Sequence, residues 1–261
     1  MPGETSRLAF VTGTSSGIGE ALAQELLRRG WSVIGAARRA VRFHSARYTH
    51  VTVDLQDVPG AIRVLESSLS PRLADAAVGR LGLVNNAAHI ALLGPIEKIE
   101  PTALLEVYAV NVAVPVWLMG WFMRRGSKAI PLRMVNVSTG AAVRPFPGLG
   151  AYATSKAALR MAGMVLAAEI EAGEPEPSRR RDATILSYEP GVVDTEMQAT
   201  ARSAPSELHP GVDAFKQFHA QGLLAPASAP ALAIADYLDG DGHSTFDERR
   251  YGQPPKAMSK G

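Results

Sequence analysis

The apolar run Leu8 to Thr12 breaks into a turn of glycine, serine and threonine. Apolar residues then recur at helical spacing at Ile18, Leu22 and Leu26 as far as Arg29. Gly30 closes that helix, and Trp31 to Ala37 is a second apolar run without strict alternation, the pattern of a strand covered on both faces. Strand, helix and strand in this order make a βαβ unit, which commits the chain to parallel pairing with right-handed crossovers. The alternation continues downstream. Strands are predicted at Tyr48 to Asp54, Leu81 to Asn85, Leu132 to Ser138 and Ala183 to Tyr188; helices are predicted at Val58 to Val78, Pro101 to Arg125, Ala151 to Glu171 and Pro226 to Leu238. The fold class expected is α/β, a doubly wound parallel sheet with helices on both faces. A chain of 261 residues without internal repeat, low-complexity tract or long linker suits one domain over 1–261.

Composition removes several classes of function. Hydrophobic residues make up 46% and charged residues 20%, enough apolar mass for a sizeable core and too much for a disordered chain. The absence of cysteine excludes a disulfide scaffold, thiolate metal centres and a cysteine nucleophile; no metal site is read, and a reducing, cytoplasmic setting is expected. The opening MPGETSRLAF lacks the blocks of a signal peptide, and no uninterrupted apolar stretch reaches about 18 residues, so no membrane association is expected. Lysine and arginine total 27 against 25 acidic residues, and a formal charge of +2 gives no reason to expect a nucleic-acid partner. The basic run Arg179 to Arg181, beside Glu174, Pro175, Glu176 and Pro177, reads as a solvated loop within the polar stretch Gly173 to Asp182.

Chemistry concentrates at a few turns. In the first, Thr12-Gly13-Thr14-Ser15-Ser16-Gly17-Ile18-Gly19, glycines let the backbone approach a pyrophosphate while the N–H groups and dipole of the following helix favour the anion. A tight strand-to-helix turn alone can also demand glycines; the setting in a βαβ unit favours a Rossmann-type dinucleotide site. The second strand ends in Ala36-Ala37-Arg38-Arg39 with no carboxylate, which suits the 2′-phosphate of NADPH or NADP+ better than the bare ribose of NAD(H). Tyr152 and Lys156 stand one helical turn apart on one face, an arrangement in which an ammonium can lower a phenol's pKa for acid–base work. Ser138, at the end of a strand, falls at the carboxyl edge of the sheet, where such folds bind ligands.

In this order, and with Asp54, Asn85-Asn86-Ala87-Ala88, Asn111, Pro190-Gly191 and Asp194-Thr195, the chain resembles a short-chain dehydrogenase/reductase of the compact type from about residue 7 to 246. The resemblance implies that Tyr152 is the proton donor or acceptor, that Lys156 lowers its pKa and holds the nicotinamide ribose, and that Ser138 binds the reacting oxygen. Asn111 would support a water-linked proton relay. The cofactor would lie on Gly13, Ser15, Ser16, Gly17, Ile18 and Gly19, with Arg38 and Arg39 at its phosphate. Asp54 with Leu55 would meet the adenine, Asn86, Ala87 and Ala88 would line the dinucleotide, and Pro190, Gly191, Val193, Thr195 and Met197 would hold the carboxamide end. Ala88 replaces the glycine usual in the family, adding a methyl to a tight turn.

Tyr188 to Gln198 and the tail Gly242 to Asp247 are similar to the branch of sepiapterin and benzil reductases. In sepiapterin reductases that tail carries a pterin-gripping aspartate; aligned on His243 and Phe246, Thr245 stands there, with Asp247 two residues away. The expected function is therefore a benzil-reductase-like carbonyl reductase using NADPH on a small ketone or diketone. A pterin carbonyl reductase, an alcohol dehydrogenase running in the oxidative direction and a non-catalytic dinucleotide-binding regulator are the alternatives. The segment 192–225, weak in periodicity, is expected to cover the substrate, with Phe146, Pro147, Leu149, Met197, Phe215 and Phe218 as candidate apolar lining. A homodimer or homotetramer is expected by analogy.

Overall fold

The computed structural model describes residues 6–90, 93–173, 181–207 and 210–253. Seven strands, β1 (Ser6–Thr12), β2 (Ser32–Ala37), β3 (Tyr48–Thr52), β4 (Val78–Asn85), β5 (Leu132–Val137), β6 (Ala183–Glu189) and β7 (Phe246–Arg250), form one sheet in the order β3-β2-β1-β4-β5-β6-β7. Every pairing is parallel. The strand order reverses direction after β1, and the crevice that opens beside β1 and β4 at their carboxyl ends is where such sheets take ligands.

Helices cover both faces. Helices α1 (Gly17–Arg28) and α8 (Ser228–Asp239) pack on one face through Leu22, Leu26, Trp31, Ile234 and Leu238. On the other face α2 (Val58–Leu73), α4 (Val114–Arg125) and α5 (Gly150–Gly173) bury Leu65, Leu69, Leu118, Phe122, Leu159 and Ile170. Near-continuous burial along β1, β2, β5 and β6 explains why these strands read as apolar runs without alternation.

Several boundaries differ from the sequence reading. The helix predicted over Val58 to Val78 ends at Leu73, because Asp75 makes a turn in which Val78 N–H donates to its carbonyl, and Val78 already pairs with Ser6 as the first residue of β4. The helix predicted over Pro101 to Arg125 is α3 (Pro101–Tyr108) and α4 joined by one wide π-type turn, Ala109–Ala113. That composite is long and apolar enough to cross a membrane, with a mean hydropathy of 1.6, yet Val107, Val114, Leu118, Trp121 and Phe122 on it are buried within this fold. Strand β7 adds to the predicted elements, and two short helices, α6 (Glu196–Arg202) and α7 (Val212–Ala220), occupy the segment of weak periodicity. Residues 174–180, including most of the basic run, lie outside the described residues. Arg181 itself is half-buried and donates to the Met123 carbonyl at 2.7 Å, closing the end of α4, so it is not part of a solvated face.

At the amino edge of the sheet, the buried Arg133 of β5 reaches Asp182 at 2.6 Å and Asp241 at 2.9 Å, and Arg80 of β4 reaches Asp241 at 2.7 Å. These pairs tie β4, β5, β6 and the end of α8 together, far along the strands from the carboxyl edge.

Candidate active site

The carboxyl ends of β1 and β4 are clipped by one buried hydroxyl. Thr12 Oγ1 accepts from the backbone N–H of both Asn86 and Ala87 at 3.0 Å, while Asn86 Nδ2 donates to the Thr12 carbonyl at 2.8 Å and the Gly13 carbonyl at 3.3 Å. Sequence reasoning gave Thr12 only as the start of the motif and missed this role. Gly13 has φ +77°, and a Cβ there would stand 2.8 Å from Asn86 Nδ2; a Cβ on Gly19 would collide with the Gly13 carbonyl. Ser16, the N-cap of α1, makes no side-chain capping bond, so no side chain closes the helix's amino end. Glycines that allow close approach and an uncapped helix start are what a pyrophosphate requires, so the residues present fit a dinucleotide. Ile18 is half-buried and packs against the α1–α8 core. Across β2, the Thr14 hydroxyl and the Tyr48 phenol are 2.9 Å apart over Gly35, where any side chain would collide with both.

Farther along the crevice, Asp54 is exposed and its carboxylate accepts from Gln56 N–H at 3.0 Å, while the Leu55 side chain belongs to the core. Ala88 follows Ala87 in the half-buried turn. Arg38 is exposed; Arg39 reaches Glu196 at 2.8 Å and Ser16 Oγ at 3.3 Å. Pro190 and Gly191, the latter at φ +74°, end β6 and lead to Val193, which is bridged to Ala225. Thr195 caps α6 by accepting from Gln198 N–H at 3.3 Å, and its methyl would lie 3.2 Å from a Cβ on Gly17; Met197 in the first turn is half-buried.

Ser138 follows β5 directly, its N–H donating to the Tyr188 carbonyl at 2.7 Å. Tyr152 lies in the first turn of α5 and Lys156 one turn on, with Lys156 Nζ 5.9 Å from the Tyr152 ring centroid and donating to the Val137 carbonyl at 2.7 Å. The three residues singled out as a catalytic set thus meet at one edge of the sheet. Burial pushes the Tyr152 phenol up to about 12, opposed by a hydrogen bond with the Thr139 side chain, and pushes the Lys156 ammonium down to about 8. Desolvation outweighs that hydrogen bond at the phenol, and one of the three ammonium N–H groups is given to a backbone carbonyl.

Asn111 is the fourth residue of the expected catalytic set. It sits fully buried in the wide turn between α3 and α4, where its Oδ1 accepts from His89 N–H at 2.7 Å and its Nδ2 donates to the His89 carbonyl at 2.8 Å and to Ser155 Oγ at 2.9 Å. Ser155 in turn donates to the Tyr152 carbonyl at 2.7 Å. Both amide protons are bonded, and the side chain clamps the loop after β4 to the Tyr152 helix.

Around Tyr152 an apolar cluster joins Ile90, Leu93, Ala141, Leu149 and Ala153 to Ala201, Ala204 and Phe215 of the segment after β6. Of the predicted lining, Leu149 and Phe215 are in it, whereas Phe146 and Phe218 are exposed. Ser138 and Thr139 line a polar cavity of about 270 Å³ together with Arg144, Arg160, Glu189 and Glu248. The tail alignment fails on geometry. Thr245 precedes β7 at the amino edge, its carbonyl accepting from Ile185 N–H, and Asp247 is paired with Arg249 at 2.7 Å within β7. At the carboxyl edge the tail places Glu248, Arg249 and Arg250 in the cavity with Ser138, and Tyr251 N–H donates to the Glu189 carbonyl, its side chain lying against Gly191.

The family model of short chain dehydrogenases matches residues 7–206. The chain belongs to that family. Among the relatives of this short-chain dehydrogenase, the benzil reductase ((S)-benzoin forming) of Bacillus cereus is 32% identical over 242 residues, covering 89% of this chain and 94% of that one. The sepiapterin reductase of Bos taurus is 29% identical over 254 residues, covering 90% of each. A solved short chain dehydrogenase/reductase from Saccharomyces cerevisiae superimposes with a TM-score of 0.80 at 25% identity, covering 95% of this chain and 97% of that one. The chain is accordingly an oxidoreductase acting between CH–OH and C=O, of a family that binds a nicotinamide dinucleotide.

Proposed function

We propose that the chain is an NADPH-dependent carbonyl reductase whose substrates are apolar ketones or diketones of the benzil kind. The observation that carries this reading is the apolar cluster packed around Tyr152. A pterin would bring several N–H groups into that cluster without partners, each costing about 1–3 kcal/mol, whereas an aromatic diketone makes no such demand. With Thr245 and Asp247 away from the carboxyl edge, the cluster and not the tail argues against a pterin.

The bound nicotinamide would supply hydride. Ser138 would hold the carbonyl oxygen through its hydroxyl, and Tyr152 would donate its phenolic proton to that oxygen. A phenol pushed up to about 12 stays protonated at neutral pH, which suits a donor in reduction; alcohol oxidation would need the phenolate. The cluster would keep water from the reacting carbon, with Ala201, Ala204 and Phe215 of segment 192–225 as its cover. Arg38 and Arg39, with no carboxylate at the end of β2, support NADPH over NADH. A second copy of this chain is the proposed partner, because Leu105, Val116, Met161 and Val165 on α3, α4 and α5 are exposed apolar residues on neighbouring helices; the reading takes a homodimer or homotetramer in a cytoplasmic setting.

A substrate panel with NADPH and NADH tests the reading. Benzil should exceed sepiapterin in kcat/KM by at least about tenfold, NADPH should be preferred, and Tyr152→Phe should lower kcat by about 10²-fold or more with dinucleotide affinity little changed. Near-normal turnover by Tyr152→Phe would sink the assignment, and parity with sepiapterin would overturn the substrate class.

A further inference from the structure

Glu196, the first residue of α6, lies 157 positions after Arg39, yet its carboxylate accepts from both terminal nitrogens of that guanidinium, at 2.8 and 3.4 Å. Arg39 also donates to Ser16 Oγ, at the start of α1. One arginine thus joins the end of β2, the glycine turn and the start of the segment after β6. Thr195, next to Glu196, stands against Gly17, so the start of α6 abuts the phosphate turn itself. Arg39 holds the Glu196 carboxyl below its usual range, with Arg42 adding to the effect. Arg38, beside Arg39, has no hydrogen bond or ion pair among the described residues.

A carboxylate set on arginine beside Ser16 has the chemistry of a phosphate on the same donors: an anion, accepting from a planar fork, next to a hydroxyl. We infer that Glu196 is a specificity-determining residue that acts as an internal substitute for the ribose 2′-phosphate. A nucleotide bearing that phosphate must take Arg39 from Glu196, whereas one lacking it binds with the bridge intact. Glu196 therefore reduces the preference for NADP(H) that Arg38 and Arg39 create, and it links the choice of cofactor to the start of α6. The inference rests on Arg39 as the phosphate ligand.

The test uses 2′,5′-ADP and ADP as probes, since neither reaches the nicotinamide end, with dissociation constants from calorimetry on the full chain. Both partners of the bridge are exposed, so their replacement leaves the core intact. Glu196→Gln should tighten 2′,5′-ADP by about two- to fivefold, the scale of an exposed ion pair, and leave ADP unchanged. Arg39→Met should weaken 2′,5′-ADP by at least about tenfold and erase the effect of Glu196→Gln in the double variant. If Arg39→Met weakens 2′,5′-ADP but Glu196→Gln leaves it unchanged or shifts both probes alike, the substitution role is overturned and the cofactor reading stands. If Arg39→Met leaves 2′,5′-ADP unchanged, the substitution role falls with its premise, and the cofactor reading then stands or falls on whether Arg38→Met weakens 2′,5′-ADP.

Discussion

At the scale of single residues, the site is set by burial acting on two titratable groups of opposite kind. Lys156 is 2% exposed and pushed down to about 8 from 10.5. In the unfolded chain it keeps its proton up to about 10.5, so between about 8 and 10.5 the unfolded state binds more protons and folding stability rises with pH. The contribution is complete above 10.5 and lost as pH falls through 8. Tyr152, pushed up to about 12, acts only above its ordinary value of 10.0 and does not disturb the window below it. Comparing denaturant midpoints of the unmodified protein and Lys156→Met at pH 8 and pH 10, the unmodified protein should gain roughly 2 kcal/mol on the variant. A difference independent of pH would show that the ammonium is solvated. Glu196 illustrates what residue patterns leave out: its partnership with Arg39 is formed by folding, and no local pattern in the sequence announces it.

At the scale of elements, the wide turn between α3 and α4 is the feature that organises the site. A straight helix would carry the Asn111 amide past His89; the extra residue in the turn re-aims it so that one side chain satisfies both backbone groups of His89 and the Ser155 hydroxyl. Asn111→Ala removes the amide partner of both His89 backbone groups and leaves Ser155 only its bond to the Tyr152 carbonyl, and should cost about 3 kcal/mol in chemical denaturation while dinucleotide affinity changes less than turnover. Equal stability of the variant would mean that water replaces the amide. The element order and most strand centres were legible because strands covered on both faces are written as apolar runs, and Tyr152, Lys156 and Ser138 were legible because fixed spacing on a helix and at a strand end places them. The turn at Ala109–Ala113 was not legible, since the apolar period runs through it unbroken. Strand β7 was missed for the opposite reason: Phe246-Asp247-Glu248-Arg249-Arg250 is almost wholly charged, and its strand character comes from pairing with β6. The Thr245 register failed with it, because the depth of a residue along an unrecognised strand cannot be read.

At the scale of the whole molecule, chemistry and cohesion are separated to opposite edges of one sheet. Tyr152, Ser138 and the glycine turn stand at the carboxyl edge, whereas Arg133, Asp182, Asp241 and Arg80 hold the amino edge. Arg133 is almost fully buried and its two carboxylate partners are largely exposed, so Arg133→Met would return those carboxylates to water and strand no buried charge. The expected loss is about 1–3 kcal/mol of stability, read as a lowered Tm, with kcat/KM unchanged within twofold. A fall in kcat/KM without a fall in Tm would show that strain crosses the sheet.

Among the described residues the seven-stranded parallel sheet has two outer strands, and one of them is β7. Its side chains are bound off in pairs, Asp247 to Arg249 within the strand and Glu248 to Arg160 of α5. An unpaired margin of backbone is a template on which a stray chain can add, and a selvage of opposed charges makes that addition expensive, since any newcomer would have to dry those ions. The strand least visible in the sequence thereby carries the charges that oppose the growth of neighbouring molecules into a common fibre.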